Sequence, residues 1–169
     1  RQAKQSGENF MLYSGATDQE SPRRLKLIGD LKRGIQSGQM LLHYQPKVDL
    51  RTKEVSGVEA LIRWADPQRG LVMPSEFIHL AEHTGLIRPL TEWVVDTAFS
   101  DITEWKKKGI EIPVAVNVSP RSLRDPELLE KVISLQEKHQ VDSGLLQIEI
   151  TETSLIEDPA RSHDILSTF

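Results

Sequence analysis

Three runs of this chain alternate with a period of two, and each leaves one wholly apolar face opposite a face that carries a carboxylate or an amide. In EVSGVEALIRW (54–64), Val58, Ala60, Ile62 and Trp64 oppose Gly57, Glu59, Leu61 and Arg63. In IPVAVNVS (112–119), Val114, Val116 and Val118 oppose Ala115, Asn117 and Ser119; in LLQIEIT (145–151), Leu146, Ile148 and Ile150 oppose Gln147, Glu149 and Thr151. Successive side chains of a strand point to opposite sides, so each run predicts a strand with one face suited to covering helices. The other faces bring Glu59, Asn117 and Glu149 toward the strands' C-terminal ends, the edge where ligands gather in parallel α/β folds.

Between these runs the spacing changes to three and four. Leu25, Ile28, Leu31 and Ile35 predict an amphipathic helix from Pro22 to a stop at Gly38. LLHYQPKVDL (41–50) predicts the first arm of a hairpin with 54–64, and Pro46, which cannot donate to a ladder, belongs at an edge or a bulge. Pro74 and Ser75 open a helix that ends at Gly85. A second helix carries Ile87, Leu90, Val94, Ile102 and Trp105 and ends at Gly109. Asp125 and Pro126 start a third, carrying Leu129, Val132 and Ile133, which Gly144 is expected to close; Asp158 and Pro159 start a last one. Residues 1–20 read as a polar tail or linker, with a short strand candidate at Phe10–Tyr13. The whole order is that of an α/β protein with a mainly parallel sheet.

Composition narrows the partners. A net charge of −4 argues against a broad basic face for long nucleic acid, so a nucleotide ligand should be small. The absence of cysteine excludes disulfides, thiolate metal sites and cysteine nucleophiles, and suits the cytoplasm. No apolar run is long enough to span a bilayer, so no membrane contact is expected of this segment. The first residue is Arg1 and no signal segment follows, so the chain is expected to begin inside a longer polypeptide, which leaves an upstream anchor open.

Two carboxylates converging at one sheet edge call for a partner cation, since burying them unpaired costs several kcal/mol. Oxygen ligands favour Mg²⁺ or Mn²⁺. The alternative is that Glu59 pairs with Arg63 while Asn117 and Glu149 top solvated strand ends.

The segments YQPKVDL (44–50), GVEALIRW (57–64), EFIHLAEHTGLI (76–87), VNVSP (116–120) and EITET (149–153) resemble the EAL-domain family in sequence and in order. The resemblance runs from about residue 41 to the end. It implies a TIM-like (β/α)₈ barrel with an antiparallel first strand, and divalent metals at its C-terminal mouth that activate water to open cyclic di-GMP to linear pGpG. Carried over by position, Glu59, Asn117 and Glu149 match metal ligands, with Glu59 and Glu149 counted as catalytic. Gln45, Leu61 and Arg63 match dinucleotide-binding positions, and Glu152 matches a residue that steadies a later loop. The family also uses an aspartate pair in a DDFGTG-type segment and a lysine on later strands, and neither is in this sequence. A full barrel needs about 250 residues, so the chain is expected to form about half a barrel and to be inactive alone. The intact parent would be either a phosphodiesterase or a degenerate module that senses cyclic di-GMP. An open half-barrel exposes sheet edges, which predicts a homodimer. Residues 1–14 are similar to the close of a GGDEF domain, which would make 1–20 its tail or a linker, 21–38 a connecting helix and 39–169 a partial EAL domain.

Other patterns carry less. His79-Leu80-Ala81-Glu82-His83 fits an H-x-x-E-H zinc motif, but where the resemblance places a family helix, so surface histidines are expected. His43, His139 and His163 have no partner at ligand spacing. Trp64, Trp93 and Trp105 follow apolar faces and read as core, and Lys106–Lys108 as a solvated helix end.

Overall fold

A computed structural model describes residues 15–123 and 125–150. The chain runs α1 (Gly15–Gln36), β1 (Met40–Val48), β2 (Val55–Asp66), β3 (Gly70–Val72), α2 (Pro74–Thr84), α3 (Ile87–Lys107), β4 (Val114–Asn117), α4 (Pro120–Leu123), α5 (Pro126–His139), a 3₁₀ turn (Ser143–Leu145) and β5 (Leu146–Glu149). One sheet holds the strands in the order β1-β2-β4-β5. β1 lies antiparallel to β2, whereas β2, β4 and β5 are parallel. β3 extends the sheet beside the far end of β2, with Trp64 opposite Val72. This is the expected α/β architecture with an antiparallel first strand, in partial form.

The apolar strand faces form the core. Val58, Ala60, Val114 and Val116 pack under α3 and α5, against Val94, Val95, Ala98, Phe99, Ile102, Leu128 and Leu135. A second cluster gathers α1 and α2 around Trp64, which is fully buried; its ring meets Phe77 edge-on and its indole N–H donates to Gln39 Oε1 at 3.2 Å. Trp105 meets Tyr44 edge-on and Trp93 is partly buried, so all three tryptophans are packing residues as expected.

Local chemistry sets most boundaries. Gly85 takes φ 76° after α2, a left-handed conformation that costs glycine nothing. Asp125 caps α5 by accepting from the Glu127 N–H at 3.1 Å, with Pro126 at the first helical position. Pro46 lies on the edge strand β1, beside a register irregularity at Lys47 and Val48.

Two expectations are corrected, and two short elements appear that the periodicity does not predict. α1 begins at Gly15, not Pro22, which sits inside the helix; the preceding Ala, Gln and Glu are good helix formers that extend it backward. α5 ends at His139, because Gln140 adopts the left-handed cap (φ 54°), and Gly144 falls in the 3₁₀ turn. β3 and α4, three and four residues long, are too short for a periodic signal and were not expected. The strand candidate at 10–13 and the helix after Asp158 lie outside the described residues. Among those described, no helix is long and apolar enough to cross a membrane.

Candidate functional site

The sheet face away from α3 and α5 carries the alternate residues of each strand. On β1 these include His43, Gln45 and Lys47; on β2 Gly57, Glu59, Leu61 and Arg63; on β4 Ala115 and Asn117; on β5 Gln147 and Glu149. Hydrogen-bond register then fixes who neighbours whom. Gln45 stands opposite Glu59, His43 opposite Leu61, and Asn117 opposite Glu149. The β4–β5 ladder continues past Asn117 through the Val118 N–H, which donates to the Glu149 carbonyl at 2.9 Å.

The three expected metal ligands come together. Asn117 Nδ2 donates to Glu59 Oε1 at 2.6 Å, joining β4 to β2. Glu149 accepts from the Lys47 ammonium. Lys47 and Glu149 sit on the two outer strands of the β1-β2-β4-β5 path, three interstrand steps apart and about 14 Å across a flat sheet. Their contact therefore requires the sheet to curl around this face, as barrel strands do. Gly57 helps close that curl: a Cβ there would lie 3.0 Å from the Pro113 carbonyl oxygen, which accepts the Val58 N–H at 2.8 Å. Two carboxylates and one amide offer oxygen donors of the kind divalent cations take, and the Lys47 ammonium is the positive charge beside Glu149 in this structure.

Glu59 does not pair with Arg63. Residues four apart on a strand share a face but stand about 13 Å apart, and the Arg63 guanidinium instead donates to the Ile62 carbonyl at 2.8 Å. Gln45 is exposed, while Leu61 and Arg63 are half-buried beside Glu59 on the same strand. Glu152 lies outside the described residues.

Two contacts had no signal in the sequence. Lys47 shares the Gln45 face of β1 by simple alternation, but only the pairing of the strands and the curl of the sheet bring it to Glu149 on β5. Ser119, just past Asn117, donates to Glu82 Oε1 on α2 at 2.7 Å, a pairing across 37 residues that no local pattern encodes. Glu82 is thereby turned toward the loop after β4. His79 is mostly exposed, and His83 Nδ1 lies 2.7 Å from the His79 carbonyl. Among the described residues no three His, Asp or Glu side chains cluster as a metal site, and His79 lies 3.6 Å from the Glu82 carboxylate. A groove of about 350 Å³ between α1 and α2, lined by Arg23, Arg24, His79 and His83 among others, shares no residue with the concave face.

Electrostatics away from the carboxylates hold the frame. Tyr44, on the outer face of β1, donates to Asp101 Oδ2 at 2.6 Å; burial and then the Asp101 carboxylate push its phenol well above the usual value. Burial pushes the Asp66 carboxyl up, but hydrogen bonds from the Gln68 and Arg69 amides, with the Arg69 guanidinium, outweigh it and leave it below its usual value. Arg69 also reaches Asp30 on α1 at 2.7 Å and lies over the Trp64 ring.

The EAL domain model matches residues 28–168. A cyclic di-GMP phosphodiesterase of Pseudomonas aeruginosa is 37% identical over 165 residues, covering 97% of this chain and 28% of its own length. The cyclic di-GMP phosphodiesterase PdeR of Escherichia coli is 34% identical over 168 residues, covering 99% and 25%. Among solved structures, the PaMucR phosphodiesterase in its c-di-GMP complex aligns with a TM-score of 0.79 at 37% identity, over 85% of this chain and 58% of that one. The EAL enzyme Bd1971 with cAMP and cyclic di-GMP bound aligns with a TM-score of 0.77 at 28% identity, over 88% and 42%. The chain thus spans 28% and 25% of the length of those two curated relatives. With its five motifs in order along the sequence, and a sheet whose first strand runs antiparallel, it belongs to the EAL domain family.

Proposed function

We propose that this chain carries the first half of a barrel that hydrolyses cyclic di-GMP to linear pGpG with the help of divalent metal. The observation that carries the reading is the convergence of Glu59, Asn117 and Glu149 on one concave face, linked by the Asn117–Glu59 hydrogen bond. The names of the relatives, and the cyclic dinucleotide held by two structural relatives, support the substrate class.

In this reading Glu59, Glu149 and the Asn117 carbonyl would hold Mg²⁺ or Mn²⁺, which would supply a lowered pKa for water and neutralise phosphoryl charge. The chain's own side chains place the dinucleotide. Arg63, released from the Ile62 carbonyl, has the planar fork that matches a phosphate or a guanine edge. Gln45, opposite Glu59 in register, offers an amide at the level of the metal ligands, and Leu61 offers apolar contact to a base. Glu152 would steady a loop of the remaining barrel.

Three oxygen ligands are too few for two metals, so the 169-residue chain alone is expected to be inactive. The edges at β1 and β5, which pair with no further strand among the described residues, favour a homodimer, and sedimentation at several concentrations that finds only a folded monomer contradicts that part. Turnover of cyclic di-GMP with Mn²⁺ or Mg²⁺, compared between this chain and one extended through a complete barrel, tests the function. Activity in the longer chain alone supports the enzyme; dinucleotide binding without turnover by the longer chain supports a sensor instead.

A further inference from the structure

Lys47 belongs to the concave face, yet neither the ligand set nor the dinucleotide contacts use it. Its side chain is 34% exposed and Glu149 is 39% exposed, so the pair is partly withdrawn from water. Lys47 projects from the edge strand opposite Gly57, where no side chain obstructs its arm as it crosses the concave face. β1 is pinned from behind by Tyr44, three residues earlier, through the bond to Asp101 and the edge-on contact with Trp105 at 4.6 Å. The ammonium is therefore delivered to Glu149 from a fixed strand, and it meets the carboxylate that faces Asn117 across β4 and β5.

We propose that Lys47 is a tethered cation that occupies Glu149 and with which a divalent ion must compete in order to bind there. The inference rests on the reading of Glu59, Asn117 and Glu149 as metal ligands. An ammonium held on Glu149 Oε1 and a divalent ion on the same carboxylate repel each other at that separation and compete for its charge. Lys47 thus satisfies Glu149 without metal and raises the metal concentration at which the site fills. Because the pair is partly exposed, the effect is modest, about threefold to fivefold in affinity.

The test is Mn²⁺ titration by calorimetry of a chain extended through the complete barrel, with Lys47→Met, Lys47→Arg and Glu59→Gln variants whose folding is checked by thermal melts in chelator. Lys47→Met keeps the aliphatic stem and removes the charge, and should bind Mn²⁺ about threefold to fivefold more tightly. Lys47→Arg should match the parent, and Glu59→Gln should bind far more weakly. If Lys47→Met binds no more tightly while Glu59→Gln still loses affinity, the role of Lys47 is overturned and the ligand reading stands. If Glu59→Gln binds as the parent does, or if no variant binds at all, the ligand reading fails and the Lys47 proposal with it.

Discussion

Asp66 shows how single residues hold the far end of β2. Its carboxyl is buried, accepts two backbone amides and sits 3.9 Å from Arg69, which bridges to Asp30 on α1. With its folded pKa lowered from 3.8, it contributes stability that is fully present above about pH 4 and lost as pH falls below that value. Asp66→Asn should cost about 1–3 kcal/mol at neutral pH, and melting curves of the two proteins should converge toward pH 3. A constant gap at all pH values contradicts this role. Arg63 behaves differently, since its guanidinium bonds only the neighbouring Ile62 carbonyl. In a chain extended through the barrel, Arg63→Ala should leave the melting temperature nearly unchanged and weaken cyclic di-GMP binding about tenfold to a hundredfold by calorimetry, the loss of charge-assisted bonds to phosphate. Glu59, Asn117 and Glu149 were legible as one group from strand periodicity alone; their register neighbours were not. Lys47 and the Ser119–Glu82 bond depend on which strands pair and how far the sheet curls, which no short pattern states.

At the scale of elements, caps and spacing carried most of the information. The stripe on α3 is buried as its three-and-four spacing requires, Val94 to Ile102 against β2 and β4 and Ile87 and Leu90 in the cluster around Trp64, and Asp125 and Gly85 mark real boundaries. Where the reading slipped, a residue took a conformation that its type does not advertise: Gln140 in the left-handed region, Pro22 inside a helix. Gly57 is the element-scale residue most tied to function, because β2 and the entry to β4 approach through its missing side chain. Gly57→Ala should cost about 1–3 kcal/mol by forcing the Pro113 carbonyl away, read as a lower midpoint in urea. Because that carbonyl accepts the Val58 N–H, the strain should also loosen the Asn117–Glu59 contact. An unchanged midpoint would mean that β4 can shift without loss.

For the whole molecule, the curl of the sheet gives four strands one concave face, which carries the candidate site. β1 and β5 would lie far apart on a flat sheet, and here their Lys47 and Glu149 touch. α1 is integral to this unit, since Leu31 is fully buried in the cluster around Trp64. The family, and with it the barrel-type fold, was legible from five ordered motifs; the extent of α1 was not, because its first turn lacks an apolar stripe. The central claim is that Glu59 and Glu149 work together on a cation for phosphodiester hydrolysis. The most direct test is cyclic di-GMP turnover, with Mn²⁺, by a chain extended through the complete barrel and by its Glu59→Gln and Glu149→Gln variants. The account predicts turnover by the parent and losses of at least about a hundredfold in each variant, with the double variant little worse than either. Turnover surviving both substitutions would contradict it.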